Sequence, residues 1–140
     1  MLAVVVSGEN HAMPKFPPDV FEAIRKEKYL WIRAGDGHRF VPIWSAIVGS
    51  RLFIRSWYLR AGGWAEAFQR EKRGAIRYKK SGPVIPVRAR RVRSESTLAA
   101  VDRAYAERYT TPANRKYVKG FRLPKRRMTT TELVFDGENK

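Results

Sequence analysis

The chain has 140 residues, a formal net charge of +16, 44% hydrophobic residues and 12% aromatic residues. That is enough bulky apolar surface for one packed domain, and it excludes a chain disordered throughout. With no cysteine and only His11 and His38 as histidines, disulfide frameworks, thiol catalysis, thiolate metal sites and three-histidine metal centres are excluded as well.

Residues 1–13 are expected to be a flexible N-terminal extension, with Met13 as an alternative start, and 14–140 a single domain. The apolar run at 2–6 is too short for a membrane span and follows no basic residue, so neither a signal peptide nor membrane association is expected. The lack of cysteine fits a cytoplasmic protein. Asp19 is a suitable N-cap, and Phe21, Ile24 and Lys28 then recur at helical spacing, which predicts a helix over 20–28. Residues 29–34 and 39–48 are rich in β-formers and are separated by Gly35-Asp36-Gly37, so they read as two strands and a turn. Gly49-Ser50 then leads to a third strand over 51–57, a two-residue hairpin loop with glycine first in a type II′ turn. Gly62-Gly63 ends this region. A helix over 64–73 follows, with Trp64, Ala67 and Phe68 on one side and Gly74 as its stop. Strands are predicted at 75–80 and 84–93, Pro86 placing the latter at an edge or an end. Ser96 is read as the cap of a helix reaching Tyr109, whose stripe is Leu98, Val101 and Tyr105; Thr111-Pro112 opens a shorter helix ending near Gly120. A last strand covers 129–135.

Six strands with few helices do not alternate as βαβ units, so a doubly wound sheet is not expected. The reading is mainly β with flanking helices (α+β), closed as a small antiparallel barrel. The hairpin fixes a register in which Val48 faces Arg51, Ser45 faces Ile54, and, if the pairing continues, Trp44 faces Arg55 and Pro42 faces Trp57. One face then carries Val41, Ile43, Ser45, Ile47, Leu52, Ile54 and Ser56 and is assigned to the barrel core. The other carries Pro42, Trp44, Ala46, Phe53, Arg55 and Trp57. It is too aromatic for a solvent face. Aromatic rings around a guanidinium suit a flat phosphorylated ligand or a dimer contact; the other reading is a face covered by the protein's own helices, such as 64–73.

The runs Phe40-Val41-Pro42-Ile43-Trp44, Leu52-Phe53-Ile54-Arg55-Ser56-Trp57 and Gly62-Gly63-Trp64, then Gly74-Ala75-Ile76-Arg77 and Val101-Asp102-Arg103-Ala104-Tyr105, resemble a bacterial family of uncharacterised function. That family is grouped with the FMN-binding split β-barrels and is more distantly similar to deazaflavin-dependent nitroreductases. The resemblance covers roughly residues 20–135 and implies a six-stranded antiparallel split β-barrel, a homodimer, and FMN or a deazaflavin coenzyme bound at the barrel wall, with no metal. It implies Arg55, Ser56 and Arg60 as phosphate ligands and Trp44, Trp57 and Trp64 as ring contacts. The implied activity is reduction of small organic substrates. The phosphate motif of the deazaflavin reductases before the second strand is reduced here to Gly35-Asp36-Gly37-His38-Arg39.

Charge supplies a second expectation. Residues 1–50 carry a net +1, residues 51–93 a net +11 and residues 94–140 a net +4. Arg88, Arg90, Arg91 and Arg93, with the cluster Lys125, Arg126 and Arg127, could track a phosphate backbone, which makes a nucleic-acid- or polyanion-binding module the alternative function. A barrel without cofactor, serving as an interaction protein, is the third. Asp102 and Arg103 read as ordinary helix-surface residues.

Overall fold

The computed structural model describes residues 15–59 and 61–137; the N-terminal extension expected over 1–13 and the expected phosphate ligand Arg60 lie outside the described residues. In chain order the elements are α1 (Pro18–Lys26), β1 (Leu30–Ala34), β2 (Val41–Ile43), β3 (Ser45–Val48), β4 (Arg51–Ile54), α2 (Trp64–Arg70), β5 (Arg73–Arg77), β6 (Ile85–Arg91), α3 (Glu95–Arg108), α4 (Pro112–Phe121), α5 (Pro124–Arg127) and β7 (Thr131–Phe135). Among the described residues no helix is long and apolar enough to cross a membrane.

The strands form one antiparallel sheet in the order β2-β1-β5-β6-β7-β4-β3. Its two edge strands, β2 and β3, are joined through Trp44 alone. A sheet whose opposite edges are one residue apart must curl back on itself, so the fold is a nearly closed α+β barrel, closed by the covalent chain instead of by a ladder of hydrogen bonds.

There are seven strands, not six, because the strand expected over 39–48 breaks at Trp44. The peptide group between Trp44 and Ser45 leaves the ladder, and both of its polar atoms find partners on α3. The Tyr105 hydroxyl donates to the Trp44 carbonyl at 3.3 Å, and the Ser45 N–H donates to the Tyr109 hydroxyl at 3.1 Å. A buried backbone group outside a ladder needs such partners, and two tyrosines four residues apart on a helix supply them. The expected hairpin register is observed from Val48–Arg51 to Ser45–Ile54 and ends there; Pro42 lies opposite Trp31, not Trp57. Gly49 takes φ 61°, the left-handed conformation the hairpin loop requires.

Other boundaries move for local reasons. Pro17 and Pro18 start α1, ahead of Asp19, since proline is preset for the first helical turn. Ser94, not Ser96, caps α3 by accepting from the Thr97 N–H. Helix α2 ends at Arg70, and Gly74 is not its stop but a member of β5, where a β-carbon would collide with the Arg33 carbonyl and the Phe68 ring. Helix α5, in the Pro-Lys-Arg-Arg run, was not expected.

The core has two compartments. Leu52 and Ile54 lie inside the barrel with Ile24, Leu30, Ile32, Ile76, Val87 and Leu133, and Val41, Ile43 and Ile47 pack against them, as the hairpin alternation predicted. The opposite face of the hairpin is buried by α3 and α4: Ala46 and Phe53 pack with Val101, Ala104, Tyr105, Val118 and Phe121. Ala46 and Phe53 of the aromatic face are therefore covered by the protein's own helices, though by these two and not by the 64–73 helix, while Trp44 and Trp57 are only partly buried against them.

Truncating Ile54, fully buried inside the barrel, to alanine is expected to cost about 2–5 kcal/mol in chemical denaturation. Gly74→Ala, which adds a methyl where backbone and ring already touch, is expected to cost about 1–3 kcal/mol. An unchanged denaturation midpoint for Ile54→Ala would place that face outside the core.

Candidate functional site

A cavity of about 790 Å³ opens beside the break at Trp44, between β1 and β2 on one side, residues 56–58 and 61–63 on another, and α4 on the third. Its position follows from the topology. Where β2 and β3 part, no strand fills the wall of the barrel, and Trp44, Trp57 and Tyr117 stand at the gap.

Each ring is fixed by a separate device. Trp44 stacks on Tyr109 with centroids 4.0 Å apart and planes 8° from parallel, and meets the Tyr117 edge at 5.8 Å. The Arg126 guanidinium lies 3.8 Å over the Trp57 ring and donates from Nε to the Trp57 carbonyl at 2.9 Å, while Gly120 lies so close to Cη2 and Cζ3 of the indole that any β-carbon would strike them. Trp64, at the start of α2, lines the cavity with its ring edge-on to Phe68. Locked aromatic walls of this kind offer flat apolar surface at little entropic cost.

The polar lining has one sign. Lys28, Arg33, His38 and Arg39 line the cavity, and among the described residues no aspartate or glutamate does. The Lys28 ammonium lies 6.0 Å from the Trp44 ring centre. The Arg33 guanidinium stacks 4.5 Å over Phe40. A cavity lined by several cationic residues and no carboxylate favours an anionic occupant, since its low-dielectric walls leave the field poorly screened.

Five of the six residues expected at a cofactor site, Trp44, Arg55, Ser56, Trp57 and Trp64, do line this cavity, although Arg55 and Ser56 are turned to other partners. The Arg55 guanidinium is fully buried. It donates from Nε to Thr130 Oγ1 at 2.7 Å, from one terminal nitrogen to Asp102 Oδ1 at 2.6 Å and the Phe121 carbonyl at 3.1 Å, and from the other to the Leu98 carbonyl at 3.0 Å. Four of its five N–H groups are thus used inside the protein. The expected stacking on Trp44 is replaced by a position 5.8 Å from the Tyr105 ring. The Ser56 hydroxyl donates to the Tyr58 carbonyl at 2.7 Å. Asp102, read from the sequence as a surface residue, is buried and accepts from both Arg55 and Arg127. Its spacing from Leu98 and Tyr105, four and three residues, puts it on the inward stripe of α3, which was the available signal.

Lys28, Arg33 and Arg39 were missed as lining residues. For Arg39 and His38 the signal was the Gly35-Asp36-Gly37-His38-Arg39 turn, which carries both to the rim. For Lys28 and Arg33 nothing local distinguishes them from solvated cations.

The residues of the polyanion alternative are dispersed. Arg88 and Arg90 point outward from β6, alternating with buried Val87 and Ala89, and Arg93 and Lys125 are exposed. Arg91 donates to the Met128 carbonyl, Arg126 holds Trp57, and Arg127 is bound by Asp102 and Glu95.

Residues 21–133 match the pattern of a family described as an uncharacterised protein conserved in bacteria (DUF2255). Among solved structures, the fold is similar to that of the conserved hypothetical protein Rv2991 from Mycobacterium tuberculosis, with a TM-score of 0.56 over 92% of this chain and 84% of that chain at 13% identity. No curated protein matches the chain in sequence.

Two outcomes are expected of these contacts. Asp102→Ala strands the buried Arg55 charge and should destabilise by about 3–5 kcal/mol, whereas replacing both partners with leucine should recover part of that loss; denaturation of the two variants separates the cases. Burial pushes the Tyr105 and Tyr109 hydroxyls above the ordinary phenol range, so the folded state holds those protons more tightly than the unfolded chain does. The resulting stability is complete below about pH 10 and is lost as pH rises beyond it. Tyr105→Phe should cost about 1 kcal/mol at neutral pH through the lost hydrogen bond and flatten the alkaline decline.

Proposed function

The chain belongs to this uncharacterised bacterial family, and we propose that its cavity binds a phosphorylated flavin or deazaflavin, FMN or a deazaflavin coenzyme, as a cofactor for reducing small organic substrates. The observation that carries the reading is the lining: aromatic walls from Trp44, Trp57, Trp64 and Tyr117 with Lys28, Arg33, His38 and Arg39 beside them and, among the described residues, no carboxylate. The volume, about 790 Å³, lies within the range of small-molecule and cofactor sites.

In this reading the isoalloxazine-type ring lies against Trp44 and Trp57, with Trp64 at its edge. The phosphate meets Arg39 and Lys28, with Arg33 behind them. Arg55 is a positioning residue: through Asp102 and the Phe121 carbonyl it holds α3 and α4 against the sheet, and with them the tyrosines that support Trp44. When bound, the cofactor supplies the hydride chemistry, and this chain's task is to bind, orient and exclude water.

The test is a titration of purified protein with FMN and with a deazaflavin coenzyme, followed by quenching of tryptophan fluorescence. One of the two is expected to bind with a dissociation constant of about 100 μM or tighter, about 5.5 kcal/mol of binding. Arg39→Ala should weaken that binding about tenfold, roughly 1.4 kcal/mol, and Arg88→Ala should leave it unchanged. Absence of binding for both, or equal losses for Arg39→Ala and Arg88→Ala, would sink the cofactor reading.

A further inference from the structure

A second cationic surface lies on the outward face of β2, β1, β5 and β6, away from the helices on β3 and β4. Alternation and register define its members. Pro42 lies opposite Trp31, Trp31 opposite Arg77, Arg33 opposite Ala75, Ala75 opposite Pro86, and Arg73 opposite Arg88, with Arg90 next along β6. These nine outward positions hold five arginines, one tryptophan and no acidic residue. A surface built only for solubility mixes signs and uses lysine and glutamate.

Three features set this face apart. Arg73 and Arg88 are directly opposed, an arrangement that destabilises a sheet when nothing neutralises it. The neighbouring carboxylates give little relief: Asp136 comes only to 4.0 Å of Arg88, both Glu132 oxygens are taken by Arg51, and Glu71 accepts from the Arg73 backbone. Arg33 and Arg77 both stack on Phe40, at 4.5 and 4.6 Å, and the buried Nε of each has no acceptor among the described residues. Two guanidiniums held by one ring are already ordered, so little freedom is lost when they grip a planar or tetrahedral anion.

We propose that this face binds single-stranded nucleic acid, its arginines holding successive phosphates and Trp31 receiving a base. The patch extends about 13 Å along β5 and about 10 Å across three strands, enough for a few nucleotides. It is the outside of a curled sheet, and no helix in it projects into a groove, so an extended single strand fits it better than a duplex does. A second copy of this chain fits poorly, because a two-fold contact would set arginine against arginine. The face shares Arg33 and Pro42 with the rim of the cavity, but its β5 and β6 arginines lie outside the cavity lining, so the two ligands are tested separately. Of the expected polyanion surface it keeps Arg88 and Arg90 and leaves out 125–127, whose Arg126 and Arg127 are engaged.

Fluorescence anisotropy with short labelled oligothymidylate and oligouridylate tests it. Binding is expected at 50 mM salt and should weaken about 10²-fold by 200 mM, a log–log slope of about −3.5 for five neutralised phosphates. The variant R73Q/R88Q should bind at least tenfold more weakly, with a slope shallower by about 1.4. It should retain flavin binding and should melt no lower than wild type, since a like-charge pair has been removed. The matched variant R115Q/R122Q, on the exposed side of α4, should bind like wild type. Equal losses for the two variants, equal competition by polyglutamate, equally tight binding of a duplex of the same length, or no binding at 50 mM salt would each overturn the proposal.

Discussion

A guanidinium without water must be matched atom by atom, and Arg55 imposes that demand at the centre of this protein. It leaves the end of β4 and enters the layer between sheet and helices, where its partners come from the middle of α3, the end of α4 and the residue before β7. The cost of burying an ionised side chain is several kcal/mol and is offset only when every contributor is in place. Sheet, helices and the start of the last strand are thereby made mutually dependent. Arg127 extends the same network outward through Asp102 to Glu95 at the start of α3.

The break at Trp44 depends on that layer. Helix α3, held by Arg55, carries the two tyrosines that receive the Trp44–Ser45 peptide group, and Tyr109 also donates to the Lys28 carbonyl while Arg108 caps the end of α1 through the Ile24 and Glu27 carbonyls. Without those partners the peptide would have to return to a ladder or reach water. Holding it out divides one long strand between the two edges of the sheet and leaves the gap that becomes the cavity. The site and the barrel closure are thus two aspects of one local departure from strand geometry.

This explains what was legible in the sequence. The hairpin around Gly49 was readable because turn chemistry and period-two alternation are local, and its four pairs and its inward face are as expected. Local turn, cap and periodicity signals gave the order of most elements, and the aromatic residues that the resemblance pointed to do line one cavity. The break at Trp44 was not readable, since the hydroxyls that stabilise it come from residues 61 and 64 positions away. Arg55 was readable as special, because an arginine among aromatics is unusual, but its partner was not: Asp102 differs from a surface aspartate only in lying on the inward stripe of α3. Gly74 was misread for a related reason. Glycine after a helix is a stop signal, and only the approach of the Phe68 ring and the Arg33 carbonyl reveals a packing requirement.

The excess of positive charge can then be sorted by what each cation does. Arg51, Arg55, Arg108, Arg126 and Arg127 are bound to carboxylates, carbonyls or a ring, and they serve the fold. Those bonds occupy Glu95, Asp102 and Glu132, three of the thirteen acidic residues. Part of what remains lies beside the cavity and on the outward face of β1, β5 and β6, and part on the exposed side of α4 at Arg115, Lys116 and Lys119. Concentrated like charge opposes compactness, and nothing in the packing of the barrel requires Arg73 to face Arg88 or the described lining of the cavity to be without a carboxylate. Both arrangements make physical sense when an anion supplies the missing partner, and their geometries differ: a walled cleft suited to a compact aromatic molecule, and an open convex sheet suited to a flexible chain.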